Sequence, residues 1–201
     1  MNTGDTALVL ISAAFVFLMT PALGFFYGGL GRRKNVVSNL MNSFFILGLA
    51  TVLWVAVGFS LSFGQDHGGV IGDFSWAFFN GVGFEPGPYG ETVPFLAYAL
   101  FQMMFAIITP ALITGSIAGR MKFKALFIFI LLWSVIVYYP IAHMVWGHGG
   151  WLERIGVADF AGGLARPART VVNFLDKLSI ALSILSVTSK SNISLSIIIS
   201  P

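Results

Sequence analysis

Residues Ala125–Gly147 read ALFIFILLWSVIVYYPIAHMVWG, a run of 23 residues without Asp, Glu, Lys or Arg. At about 1.5 Å per residue, a helix of this length crosses the roughly 30 Å hydrocarbon core of a bilayer. Three further stretches share this character, namely Ala7–Leu30, Asn39–Gly64 and Thr92–Ala118. The sequence therefore predicts four transmembrane helices and no separate soluble domain.

The composition also indicates a bilayer environment. Apolar residues make up 57% of the chain and charged residues 9%, whereas soluble domains carry about 25% charged residues. The formal net charge of +3 would suggest a nucleic-acid partner in a soluble protein, but here the positions of the basic residues matter more than their sum. The absence of cysteine excludes disulfides, thiolate zinc sites and cysteine nucleophiles. We predict contact with the lipid bilayer and no nucleic-acid partner.

Loop charges predict the orientation of the four spans. Basic residues occur in the two short loops, and the long connection after the second span carries only acidic charges. By the positive-inside rule the basic loops are cytoplasmic, so the N-terminus is expected outside. The basic residues are Arg32, Arg33 and Lys34 after span one and Arg120, Lys122 and Lys124 after span three, and the acidic ones are Asp66, Asp73, Glu85 and Glu91.

Glycine and proline inside the spans predict how the helices pack. Small residues four apart let two helix backbones approach closely, and proline in a helix frees a carbonyl and favours a kink. The small-residue pairs are Gly24 with Gly28 and Gly115 with Gly119, and the prolines are Pro21, Pro110 and Pro140.

Several unusual side chains are predicted at one depth near the outer surface. Phe101 and Phe105 lie one turn apart on span three, so they share a face, and counting from the basic loop places both in the outer third of the bilayer. Trp146 falls at the outer end of span four, and Asp159 follows a short outer loop. Ring faces and a carboxylate attract cations. These four residues could therefore form a vestibule that receives a cation.

Each of these residues also has a purely structural interpretation. The two phenylalanines could face lipid or fill the core, Trp146 could be an interfacial belt anchor, and Asp159 could cap a helix. His143, inside span four, could be a proton relay or a hydrogen-bonded strut. Its spacing of five from His148 does not match the i, i+4 pairs of helical metal sites. Without a hydrolase or nucleotide motif, we predict no enzyme activity, cofactor or metal.

Four strings occur in order along the chain and carry a family resemblance. They are FFYGGL at 25–30 with RKNV at 33–36, FQMMFA at 101–106, PIAHMVWG at 140–147 and DFAGG at 159–163. Together they resemble the ammonium transporter family, the Amt/Mep/Rh group. The resemblance implies an all-α, polytopic transmembrane helix bundle. Residues 1–163 would form the first five-helix half of that fold, with the fifth helix disrupted.

The resemblance also implies a function, ammonium transport across the cell membrane by a multi-pass protein. Phe101, Phe105 and Trp146 would receive ammonium outside, Phe105 would form part of a gate, and Asp159 would stabilise the cation indirectly through the backbone. Ammonium would then lose a proton and ammonia would be conducted. Methylammonium is an alternative ligand. The implied partners are a homotrimer or full-length transporter subunits and a PII-type regulatory protein.

The chain departs from this family pattern after Gly163. The family continues into Thr-Val-Val-His, where the histidine belongs to the pore. Here Pro167 takes the ungapped position of that histidine, and a six-residue insertion would instead place Asn173 there. We expect residues 164–201 to be an aberrant, low-complexity tail rather than a stable domain, and the chain to be a truncated or frameshifted form that does not conduct alone. The alternative is an ammonium-sensing or regulatory subunit associated with a full-length transporter.

Overall fold

The computed structural model describes residues 1–30, 35–117 and 121–156. They belong to one compact unit, Met1–Val157, and a second unit, Ala158–Pro201, lies outside the described residues. The helices are long where the sequence is uncharged and apolar, because a helix pairs all its backbone groups internally. They are α1 Thr3–Leu30, α2 Val36–Leu53, α3 Phe59–Phe63, α4 Phe95–Ile117, α5 Phe123–Trp133, α6 Tyr139–Trp146 and α7 Trp151–Arg154.

Two single turns of π-helix join successive α-helices. Trp54–Gly58 connects α2 to α3, and Ser134–Tyr138 connects α5 to α6, so each pair continues as one membrane-crossing rod. Pro140 lies near the start of α6, directly after the second π turn, where it has no N–H to donate to the preceding turn of the rod. Pro21 and Pro110 lie inside α1 and α4, which continue through them.

Within the part of the chain that the structure describes, four helical stretches are long and apolar enough to cross a membrane. They are Thr3–Leu30, Val36–Phe63, Phe95–Ser116 and Phe123–Arg154, the last of which includes the turn before α7. The third helix begins three residues later than the sequence indicated, because Gly90–Pro94 forms a strand instead. The chain leaves this strand at Pro94, and the Phe95 N–H donates to Glu85 O at 2.9 Å.

The outer connection between α3 and α4 is folded rather than loose. It contains the antiparallel pairs β1 Asp66–His67 with β2 Ile71–Gly72, and β3 Pro86–Gly87 with β4 Gly90–Pro94. A 3-10 turn at Ala77–Phe79 lies between the pairs, with Phe78 and Phe79 in the left-handed region at φ 54° and 58°. These short strands are the only β-structure among the described residues.

The helices pack around small residues, as the glycine spacing predicted. A Cβ at Gly24 would lie 3.0 Å from the Ser43 side chain of α2, and a Cβ at Gly115 would lie 2.6 Å from the Tyr27 ring of α1. Gly119 lies outside the described residues. Close approach at Gly24 and Gly115 brings α1, α2 and α4 together, and the apolar core that results contains Leu23, Ile46, Ile108, Ala111, Leu126 and Ile130.

Candidate functional site

Phe101 and Phe105 lie one turn apart on α4, and their rings contact each other. The ring centroids are 5.2 Å apart and the planes meet at 77°, an edge-to-face arrangement in which the positive edge of one ring meets the negative face of the other. Phe101 is buried and Phe105 is half-buried. The prediction that the two rings share one face of span three is therefore confirmed.

Trp146 is the last residue of α6 and is half-buried. The helix ends there because Gly147 adopts an extended conformation, while its N–H donates to His143 O at 2.8 Å. The chain then turns back on the helix end, with Gly149 at φ +88° and Gly150 so close that a Cβ would lie 2.4 Å from His143 O. Glycine is required at Gly149 by its positive φ and at Gly150 by space. Trp146 is thus held at a tight turn.

His143, one turn before Trp146, is completely buried and hydrogen-bonded at both ring nitrogens. Nδ1 lies 3.1 Å from Ser62 O and Nε2 lies 3.1 Å from Asp66 Oδ1. Ser62 belongs to the last turn of α3, whose carbonyls lack partners within the helix. His143 therefore joins α6 to α3 and to β1. Of the two roles that the sequence left open for His143, these contacts are those of a strut.

Asp66 is the centre of a polar network at this end of the bundle. Besides its contact with His143, its Oδ1 accepts from the Gly69 N–H at 2.6 Å and its Oδ2 accepts from Arg154 Nη2 at 2.6 Å. Burial raises the pKa of Asp66, but the hydrogen bonds from His143 and Gly69 and the charge of Arg154 together lower that pKa below its usual range. Asp66 is therefore a carboxylate acceptor.

A second contact holds the turn on the other side of Trp146. The Tyr89 hydroxyl donates to Phe63 O at 2.7 Å and accepts from the His148 N–H at 3.1 Å. The Tyr89 ring stacks on the His148 ring with centroids 4.3 Å apart and on the Tyr98 ring at 5.5 Å. Burial raises the pKa of Tyr89 to about 12, so its hydroxyl stays protonated. The residues on both sides of Trp146 are thus tied to the end of α3.

Two further predictions concern Asp159 and metal binding. Asp159 lies outside the described residues, so its relation to Trp146 stays a prediction. In the ranges 1–30, 35–117 and 121–156, no group of three or more His, Asp or Glu side chains is placed to hold a metal ion. Asp66 is the residue that sequence reasoning missed. It lies 77 positions before His143, and its only signal was its position in an acidic outer connection.

Residues 7–165 match the model of the Ammonium Transporter Family. The chain belongs to the ammonium transporter family. It is 45% identical over 163 residues to the ammonium transporter of Bacillus subtilis strain 168, a match that covers 81% of this chain and 40% of that protein. The family resemblance carried by the four sequence strings is thereby confirmed.

Solved structures of similar fold support the same assignment. Saccharomyces cerevisiae Mep2 matches with a TM-score of 0.73 and 32% identity, over 81% of this chain and 38% of Mep2. A structure described as a sensor Amt protein matches with a TM-score of 0.71 and 28% identity, over 79% of this chain and 39% of that protein. This chain therefore spans about 40% of the length of the curated relatives that it matches.

Family membership and the four apolar helices together establish a multi-pass protein of the cell membrane. The predicted polytopic helix bundle is confirmed, while the predicted disruption of the fifth helix concerns residues outside the described ranges. The family consists of transporters, and this agrees with the prediction that the chain is not an enzyme.

Proposed function

We propose that this chain carries the outer, ammonium-receiving part of an ammonium transporter, with Phe101, Phe105 and Trp146 as the aromatic residues that receive the cation. The observation that carries the proposal is the edge-to-face pair of Phe101 and Phe105 on one face of α4, in a chain of the ammonium transporter family. The pair lies toward the outer end of α4, a helix without charged side chains, and ring faces there attract a small cation.

The energetics favour binding ammonium at the surface and conducting neutral ammonia. A favourable cation–π contact contributes about 0.5–2 kcal/mol per ring, so two or three rings concentrate ammonium at the entrance. Moving an intact charge through the bilayer costs more free energy than these cation–π contacts supply. Ammonium therefore gives its proton to water of the outer entrance, at or before the Phe105 level, and ammonia continues. Asp159 stabilises the cation indirectly in this proposal, and methylammonium is a second ligand.

We also propose that this chain alone does not conduct. A pore needs a polar group that passes ammonia beyond the aromatic gate, and the resemblance assigns that role to a histidine after the DFAGG string. Pro167 or Asn173 stands at that position here, according to the alignment. Proline has no side-chain hydrogen-bonding group, and asparagine cannot exchange a proton as imidazole does.

Growth of a transporter-deficient cell on low ammonium tests conduction. The chain is expressed alone, beside the B. subtilis ammonium transporter as a positive control, and membrane insertion of both is checked by immunoblot of the membrane fraction. We expect rescue by the control and none by this chain. Rescue by this chain alone would overturn the claim that it does not conduct.

A sensing or regulatory role is the second candidate, favoured by the similarity to the sensor Amt protein. In this role the chain would associate with full-length transporter subunits, in a homotrimer-like assembly, or with a PII-type regulatory protein. Co-purification of the tagged chain with a co-expressed full-length transporter, in the presence and absence of ammonium chloride, tests it. An ammonium-dependent change in the amount recovered favours sensing, and no recovery of the transporter excludes this association.

A further inference from the structure

We propose that His143 is a positioning residue for Trp146, and that it acts as an imidazolium whose two ring protons tie the end of α6 to α3 and to the outer connection. The inference rests on the proposed function only in the role given to Trp146. The hydrogen-bond network itself is independent of any ligand.

Both ring nitrogens of His143 face atoms that only accept hydrogen bonds. Ser62 O is a backbone carbonyl, and Asp66 Oδ1 belongs to a carboxylate that already accepts from Gly69 and, through Oδ2, from Arg154. A neutral imidazole has a single N–H, so one of its nitrogens would direct a lone pair at an oxygen 3.1 Å away. The doubly protonated ring satisfies both contacts, and with Asp66 it forms a paired buried charge.

Helix ends and charged side chains surround the His143 ring. The ring lies in the last turn of α6 and faces the last turn of α3, and both helix ends carry a partial negative charge. Asp66 on β1 contacts the ring directly. Arg154 on α7 contacts the other oxygen of Asp66. Neither α3 nor β2 has an ionisable side chain. Glu153 on α7 accepts from the Gly149 N–H and lies 3.8 Å from His148.

The network acts on Trp146 through the helix end. His143 O accepts from the Gly147 N–H, which ends α6 immediately after Trp146, and Gly150 packs against the same carbonyl. Fixing His143 at both ring nitrogens therefore fixes the turn that holds the indole. Losing the Asp66 contact leaves the His143 ring with its Ser62 contact only, so the end of α6 is held less firmly and the indole is expected to shift.

Nitrogen-15 NMR of the full chain in lipid nanodiscs tests the protonation state. The ring signals of His143 are assigned by comparison with the variants His67→Gln and His148→Gln, and the indole signal of Trp146 with Trp146→Phe. We expect both ring nitrogens of His143 to be protonated while the network is intact. On raising the pH, loss of the Nε2 proton should shift the Trp146 indole signal with the same midpoint, and the Trp133 indole should not follow.

Two substitutions of Asp66 separate positioning from simple stability. In Asp66→Asn the amide nitrogen takes the place of Oδ1, where it can donate to the Nε2 of a neutral ring while the amide oxygen still accepts from Arg154. The Gly69 N–H loses its acceptor, but the contact with His143 is kept. The Trp146 indole should therefore keep its wild-type position and lose its pH dependence. In Asp66→Ala the contact is lost, and the indole should be displaced at every pH. Circular dichroism shows whether Asp66→Ala folds. If Asp66→Ala does not fold, the pH series of Asp66→Asn decides whether His143 positions Trp146.

Two results would overturn the inference. One is a His143 ring that carries a single proton at a pH where the Trp146 indole signal still has the position expected for the intact network. The other is a Trp146 indole signal that does not change either when His143 loses its proton or when Asp66 is replaced. None of these measurements uses ammonium, so a separate titration with ammonium chloride, followed at the same indole, tests the proposed function. If the indole signal responds to the state of the network but not to ammonium chloride, the proposed function is refuted and the positioning role stands.

Discussion

Gly58 and Tyr139 pack backbone against ring, so closely that a Cβ added to Gly58 would lie 2.6 Å from Cζ of Tyr139. Gly58 is the last residue of the first π turn, and Tyr139 follows directly after the second. Tyr139 is 1% exposed and its ring also contacts the Trp54 ring at 5.9 Å. The two widened turns therefore meet at one point, where the second and fourth spans cross.

Replacing Gly58 by alanine should destabilise the bundle. The added methyl group meets a buried ring that has no free direction to move, and overpacking of this kind costs about 1–3 kcal/mol. The matched control is Gly48→Ala, in α2 at a position with no atom within 4 Å of the new Cβ. That change should stabilise the helix by roughly 0.5–1 kcal/mol because alanine is the better helix former. Thermal unfolding in detergent micelles measures both, and equal midpoints for the two variants would contradict the packing argument.

Much of the fold was predictable from the chain because span length and loop charge are properties of short sequence windows. Ala125–Gly147 could be identified as membrane-crossing without any partner. The π turns were not predictable, since nothing in Trp54–Gly58 or Ser134–Tyr138 distinguishes them from ordinary α-helix before Gly58 meets Tyr139. The strand at Gly90–Pro94 was likewise missed because its pairing with Pro86–Gly87 depends on how the outer connection folds.

Replacing Gly115 by alanine should weaken the contact between α1 and α4. A Cβ there would lie 2.6 Å from the Tyr27 ring, whose hydroxyl donates to Leu112 O at 3.3 Å. Tyr27 is half-buried and can move, so we expect a loss of about 1 kcal/mol, at the low end of overpacking costs. Gly29→Ala on α1 is the control, because no atom lies within 4 Å of its new Cβ. Denaturant unfolding of both variants measures the difference, and a Gly115→Ala variant as stable as Gly29→Ala would show that the contact is not tight.

Asp73 should make the outer connection sensitive to acid. Burial raises the pKa of Asp73, but hydrogen bonds from the Ser75 hydroxyl and from the Ser75 and Gln65 N–H groups lower that pKa overall. Because the folded pKa lies below the unfolded value of about 3.9, the stabilisation is complete above that value. It is lost as the pH falls through the folded pKa.

The amide signals of Gln65 and Ser75 report this titration directly. In a pH series by NMR, both should move together with a midpoint below about 3.9, and both should lose that transition in Asp73→Asn. A midpoint at or above the ordinary value would show that the three hydrogen bonds do not hold the carboxylate.

The candidate site was only partly accessible to sequence reasoning, for a physical reason. Phe101 and Phe105 are neighbours through one helical turn, so spacing alone predicts their contact. Trp146 was placed by counting along one helix. The contact between His143 and Asp66 joins residues 77 positions apart, and no local rule distinguishes Asp66 from the other acidic residues of the outer connection. Its role appears only when the outer connection folds and brings Asp66 next to His143 on α6.

Replacing the aromatic residues by leucine should weaken binding of the cation while preserving the fold. Leucine keeps apolar volume but has no ring face, so each substitution removes about 0.5–2 kcal/mol, or roughly 2- to 30-fold in affinity. Phe105→Leu and Trp146→Leu are the informative variants, since both residues are half-buried. Equilibrium dialysis of the full chain in nanodiscs against carbon-14 methylammonium, with ammonium chloride as competitor, measures the affinity.

Trp133→Leu provides the matched control for this experiment. Trp133 is also half-buried but ends α5 and contacts Tyr138, with ring centroids 5.9 Å apart, so its loss removes a tryptophan away from the proposed site. We expect Trp133→Leu to bind methylammonium as the unmodified chain does and the double variant Phe105→Leu/Trp146→Leu to bind more weakly than either single one. If all three single variants lose affinity equally, the loss reflects the bundle as a whole. If Phe105→Leu and Trp146→Leu bind normally, these two rings do not receive the cation, because no other group would have replaced their π faces.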